Sequence, residues 1–488
     1  MQSLDIMGSM RNLRDLQILS RLLLLLVLIP LLGLSTLPHT ASLNLKNAYQ
    51  AMRNGFTHQA SGQLAAAAAQ LPGRDDLWES AGRYALQGND PENAILYLQN
   101  AIRQKPSAAR LIALGDAYQK SGDLQAAIRA WERAVQAGGE ASQIYANLWQ
   151  AQKQVGDYNA AIQSLKALLQ TQSGDISLTF QLALLLATQQ PEAALPYLAQ
   201  TADSNTSFTA EANDLSQAIS QALVENDPAY TLLVAGRALA TNNHWDLAIQ
   251  AFHQACTQRP DYAEAWAYLG EALQHQPPEA SAPKDAGLAE LQKALALDPR
   301  SLVANTFLGL YWQRHQENGQ ALKAFQTAAS LDPQNPVFQV EIGNTLAQMG
   351  NLAEAQSAYQ EAISLAPNDP GYQRQMAAFS LKYEYQLHQL ALPAARQAVI
   401  LSPNDAASLD LMGQVLFKLN DLTDAGRFFE RALQANSQYA PAHLHLGLLL
   451  LYQSDPQRAY QELTLARALD PNGQTAIQSE RLLQTYFP

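Results

Sequence analysis

A spacing of thirty-four residues constrains this chain more than any other feature: Ala321, Phe325, Ala328 and Pro333 are matched one period on by Ala355, Tyr359, Ala362 and Pro367. Each period opens with a helical apolar pattern, often with a Leu-Gly pair and an aromatic residue or leucine three places later, as in Leu114, Gly115 and Tyr118. After a short turn, here with Gly122, a second stripe follows at helical spacing, in this case Ala127, Trp131 and Ala134. Small residues let two helices approach and bulky ones fill the gap between them, so each period predicts a helical hairpin.

Regular periods run over 41–74, 108–141, 142–175, 229–262, 302–335, 336–369, 406–439 and 440–473. The period at 75–107 ends one residue early, and that at 370–405 is about two residues long and has no Leu-Gly pair. The period at 263–301 gains about five residues in the stretch with Pro277, Pro278, Ala282 and Pro283, which predicts a longer loop because proline stops a helix. Between Ser177 and Asn226 the signal fades to one worn pair, a polar loop from Thr201 to Thr209, and a helix from Ala210 to Val224 with no evident partner.

The periods resemble the tetratricopeptide repeat family, whose pattern is Trp, Leu-Gly, Tyr, then Ala, Phe, Ala and a closing Pro. Trp266, Leu269 and Gly270 reproduce the opening, and Ala248, Phe252, Ala255 and Pro260 the close. The resemblance implies an all-α solenoid of helical hairpins wound as a right-handed superhelix. The tail from Gln474 to Phe487, with Ile477, Leu482 and Leu483, reads as a capping helix over the last open face. The expected organisation is a leader or anchor over 1–40, a first repeat block over 41–203, an irregular junction over 204–227, a second block over 228–473, and the cap over 474–488.

Before residue 41, Arg11, Arg14 and Arg21 precede the apolar run Leu22 to Leu34, and small or polar residues follow. That order fits a cleaved signal peptide or an uncleaved membrane anchor. Either places the repeats across the membrane from the arginines, and the expected location is the cell envelope of a bacterium. A net charge of −12 disfavours nucleic acid, whose phosphates need a basic stripe.

Motifs for bond-making chemistry are missing. The sequence holds no phosphate-binding glycine loop, HExxH, paired CxxC or GxSxG, so neither an enzyme nor a cofactor or metal site is expected. His443 and His445, two apart on a helix, point to different faces. The one cysteine, Cys256, lies on the packing side of its helix, and Asn205, Thr206, Ser207 fits a glycosylation sequon.

What the resemblance offers is an inner groove lined by the first helix of each repeat. The positions just after the Leu-Gly pair, and a turn later, would point into it: Asp116, Gln119, Gln150, Gln154, Arg237, Glu271, Gln274, Asn344, Gln348 and Gln414. Side-chain amides donate and accept, so such a face could hold a peptide backbone or be merely solvated. The lysine, arginine and asparagine clamp with which some family members grip a carboxylate is not reproduced. Leu444 and Leu448, with Leu451 and Tyr452, make the last inner face apolar, for the terminal helix or for a partner helix. The expected function is a scaffold binding protein or peptide partners, the alternatives being an assembly or secretion factor for a membrane-bound machine and a regulatory subunit of an envelope enzyme.

Overall fold

The computed structural model describes residues 38–276 and 285–487. The expectations for residues 1–37 and for the prolines at 277, 278 and 283 lie outside these. The described residues form 26 α-helices and one five-residue π-helical turn, Leu387–Ala391, with no strand. All but two of the α-helices fall into hairpin pairs, beginning with His39–Arg53 and Thr57–Gln70 and ending with Ala440–Tyr452 and Pro456–Leu469. The fold is the predicted all-α repeat solenoid. The chain divides into two compact units, Met1–Ser216 and Gln217–Pro488.

The thirty-four-residue spacing has a direct steric cause. In six of the eight regular repeats a glycine of the first helix faces the large side chain of the second; the first helices of the periods at 41–74 and 142–175 have no glycine. A Cβ added at Gly309 would stand 2.5 Å from Phe325 Cε1, and the same distance separates Gly236 from Phe252 and Gly413 from Phe429. The rings themselves are enclosed, with Trp131 and Phe325 at 0% exposure. Alanines such as Ala321, Ala328, Ala355 and Ala362, all fully buried, let the next helix pack against the same ring.

Polar residues set the ends. Asp123, Asp157, Asp421 and Asp455 each accept a hydrogen bond from the amide three residues on and so cap a second helix. Asn335 and Asp369 cap first helices that begin at Pro336 and Pro370, where the missing proline amide costs nothing. Gly122 closes its helix at φ 87°, a left-handed conformation that only glycine adopts cheaply.

The faded region is still helical. Ile176–Ala187 is buried on nearly all sides, with Phe180 and every residue from Leu182 to Ala187 at 2% exposure or less. Its apolar run therefore lacks the amphipathic period that marks a surface helix. Phe208 stacks on Phe180 at 5.0 Å, so the polar stretch carries one packing residue. The helix Thr209–Leu223 belongs to no hairpin pair, and it still buries the stripe Ala212, Leu215, Ile219 and Ala222.

The altered repeat at 370–405 takes up its extra length at the turn. Glu384 and Gln386 adopt left-handed φ of 51° and 50°, and the π-helical turn Leu387–Ala391 then leads into Leu392–Leu401. A π turn absorbs an added residue without ending the helix. Ala391, Ala395 and Ala398 thereby keep their buried places at 0% exposure.

Candidate binding groove

In the second unit the first helices of three consecutive repeats, Pro336–Gln348, Pro370–Lys382 and Ala406–Lys418, wall a cleft of about 500 Å³. Val340, Ala378 and Leu411 supply apolar lining, while Glu341, Arg374 and Gln375 supply charge and amide groups. Tyr372 also lines it. Arg374 is held in place, since its Nη1 donates to Asp405 Oδ2 at 2.6 Å and to Ser408 Oγ at 3.2 Å. Burial works against ionising Asp405, but hydrogen bonds from Ser408 and the charge of Arg374 outweigh it and keep the carboxyl below its ordinary range. Glu341 accepts a 3.3 Å bond from Gln313 Nε2 of the preceding repeat.

The positions expected to line a groove separate into three groups. Gln119, Gln150, Gln154, Arg237 and Gln348 are exposed; of these, Arg237 lies over the Tyr268 ring at 5.2 Å. Five others are occupied by internal bonds. Trp131 Nε1 and Asn147 Nδ2 both donate to Asp116 Oδ1, at 3.2 and 3.3 Å, and burial pushes that carboxyl above its usual range. The Tyr359 hydroxyl donates to Asn344 Oδ1 at 2.6 Å, and Gln414 Nε2 to Asp410 Oδ2 at 2.9 Å. Glu271 and Gln274 together receive the Arg314 guanidinium.

At Leu444 and Leu448, of the two occupants expected for the apolar inner face, the terminal helix is the one that packs there. Leu444 is 3% exposed and clusters with Leu463, Ala466 and Leu483, while Leu448, Leu451, Leu482 and Phe487 pack around them. The terminal helix Gln474–Tyr486 covers this surface with its own leucines, which leaves no seat for a partner helix there. Ile477, read as part of the same apolar face, is 51% exposed.

None of the expected positions lines the cleft. The residue just after the glycine stands opposite the ring of the second helix, and where that ring carries an N–H or O–H the polar side chain bonds to it. The groove begins instead one turn earlier on the helix, at Val340 and Glu341 before Gly343. Arg374 and Gln375 were hidden because their repeat has Met376 and Ala377 where others have Leu-Gly. The register carries forward thirty-four residues from Ile342 and Gly343 to this pair, ahead of the lengthened turn, and is lost only beyond it.

His443 and His445 do take different partners: Glu462 Oε2 lies 2.6 Å from His443 Nδ1, and Asp410 Oδ1 lies 2.8 Å from His445 Nδ1. Among the described residues no group of three His, Cys, Asp or Glu side chains is placed to hold a metal ion. Cys256 is 3% exposed, and burial pushes its thiol up to about 12, which leaves it protonated. No described helix is long and apolar enough to cross a membrane.

Stacked helical hairpins with a lined cleft define a helical-repeat binding protein. Family profiles described as tetratricopeptide repeat match residues 45–109, 112–176, 233–301, 314–379, 379–441 and 411–474, more than half of the chain. The chain belongs to the tetratricopeptide repeat family, whose members serve as protein-interaction scaffolds. Among solved structures it is similar to yeast Tom70, at 14% identity over 91% of this chain and 95% of that one, with a TM-score of 0.43. It is also similar to the Cut9–Hcn1 hetero-tetramer of the APC/C, at 15% identity over 94% and 98% with a TM-score of 0.40. PilF of Pseudomonas aeruginosa is 20% identical over 47% of this chain and 99% of its own, with a TM-score of 0.34. No curated protein matches the chain.

Proposed function

We propose that this chain is a non-catalytic scaffold of the cell envelope, brought to or across a membrane by its first 40 residues, which binds an extended segment of a protein partner in the cleft at Val340, Glu341 and Gln375. The observation that carries this reading is the composition of the cleft. An apolar lining seats a side chain, while Gln375 and Glu341 supply hydrogen-bonding groups for a peptide backbone. Arg374 is already bonded to Asp405 and Ser408, so it shapes the wall. The envelope location is supported by Arg11, Arg14 and Arg21 ahead of the apolar run Leu22 to Leu34.

Affinity isolation from membranes should recover a stable partner, and Gln375→Ala with Val337→Glu, at an exposed residue of the same cleft lining, should lower its affinity by about tenfold, or about 1.4 kcal/mol. Helix content by circular dichroism should be unchanged. Equal recovery by the variant and the unaltered chain would remove the groove from the mechanism. Sequencing the N-terminus of the mature protein distinguishes cleavage near residue 40 from a retained anchor.

A further inference from the structure

The first helix pair differs in charge from the rest of the molecule. No aspartate or glutamate occurs between Asp15 and Asp75, whereas Arg21, Lys46, Arg53 and Arg74 fall in that stretch of a chain with net charge −12. The helix His39–Arg53 turns Ala41, Ala48 and Ala51 into the core. At ~100° per residue, Leu43, Lys46, Tyr49 and Arg53 fall within about 120° of one another on the opposite side. All four are exposed, Leu43 at 48% and Tyr49 at 68%, and Phe56 beyond the helix is 55% exposed. Neither Lys46 nor Arg53 has an ion-pair partner among the described residues.

An acid-free helix face that mixes cations with an aliphatic and a tyrosine side chain has the chemistry of a helix lying on anionic lipid. Long basic side chains reach the headgroups while their stems and the neighbouring apolar groups sit at the boundary. Tyrosine prefers that boundary because one end of its ring is apolar and the other polar. The apolar run Leu22 to Leu34 ends only a few residues before His39, so a chain tethered through it would bring this face to the bilayer.

We propose that the face formed by Leu43, Lys46, Tyr49 and Arg53 rests on an anionic lipid bilayer and orients the first repeat against it. The proposal rests on the reading that the first 40 residues tether the chain. It is tested with the full chain bearing Tyr49→Cys, labelled with a polarity-sensitive fluorophore and added to vesicles of phosphatidylcholine with about one-third phosphatidylglycerol. Native Cys256 is too buried to compete for the label. A second label at Gln348→Cys, exposed on another repeat, is the control.

The expected result is at least a threefold loss of iodide quenching at position 49, none at position 348, and recovery of quenching in K46Q/R53Q. If the chain sediments with vesicles but position 49 stays fully quenched, the tether stands and the lipid-facing surface is overturned. Sedimentation abolished by raised salt or by K46Q/R53Q supports the surface and removes the tether reading, because an inserted anchor does not respond to screening. A chain that sediments with no vesicle overturns both, and a protein with an acidic surface then becomes the occupant to test.

Discussion

A glycine facing a ring fixes how closely the two helices of a repeat can approach, so the methyl group of alanine is already too large. At Gly309, where a Cβ would stand 2.5 Å from Phe325, Gly309→Ala should destabilise the second unit by about 1–3 kcal/mol, read from urea unfolding. Phe325→Ala should cost about 3–5 kcal/mol, because the enclosed ring leaves a cavity between two repeats. His443 gives a pH prediction. Its hydrogen bond to Glu462 raises its protonation above the ordinary value of 6.5, with burial opposing and the Ser437 carbonyl assisting. A raised histidine contributes stability that is fully present below that ordinary value and fades as pH rises through the folded one. The melting temperature should therefore fall on going from about pH 6 to pH 8, and His443→Gln should flatten that slope. The ring and glycine positions are legible in the sequence because one steric requirement recurs at a fixed interval. The pairings of Asp116 with Trp131 and of Asn344 with Tyr359 are not, since a polar residue on a helix does not declare whether its partner is water or the neighbouring helix.

Within a single repeat the sequence tolerates changes of length only where a turn can absorb them. The repeat at 370–405 shows how, with two left-handed residues and a π-helical turn ahead of Leu392–Leu401. Gln386, at φ 50°, holds a conformation that costs a side-chain-bearing residue about 1 kcal/mol. Gln386→Gly should recover part of that, and Gln386→Val should lose more, as a thermal shift would show. The two-residue excess is plain from the repeat spacing, but its form is not. Spacing counts residues and says nothing of which hydrogen-bond ladder takes up the surplus. The same repeat explains why the Leu-Gly register misplaces the cleft. Without that pair its groove residues have no local marker, so Arg374 and Gln375 pass for ordinary polar positions.

At the scale of the molecule, stability is passed between neighbours, because each repeat touches little beyond the next. The helix Gln474–Tyr486 packs on the hairpin before it, and its Leu483 and Leu482 close the apolar face of Leu444, Leu448 and Leu451. A chain ending at residue 473 should therefore expose that face, bind a hydrophobic dye, and lose amide-exchange protection first in Ala440–Tyr452. Protection that stayed unchanged there would mean the cap contributes no stability. The lock between glycine and ring has a consequence for descent as well as for folding. Because Gly236 with Phe252, Gly309 with Phe325 and Gly413 with Phe429 meet on equivalent terms, a duplicated or deleted period presents its neighbours with a surface they already fit. In such a lineage, length can vary in whole repeats without a new core having to be invented, and the number of repeats becomes a heritable dial on how much partner the protein can span.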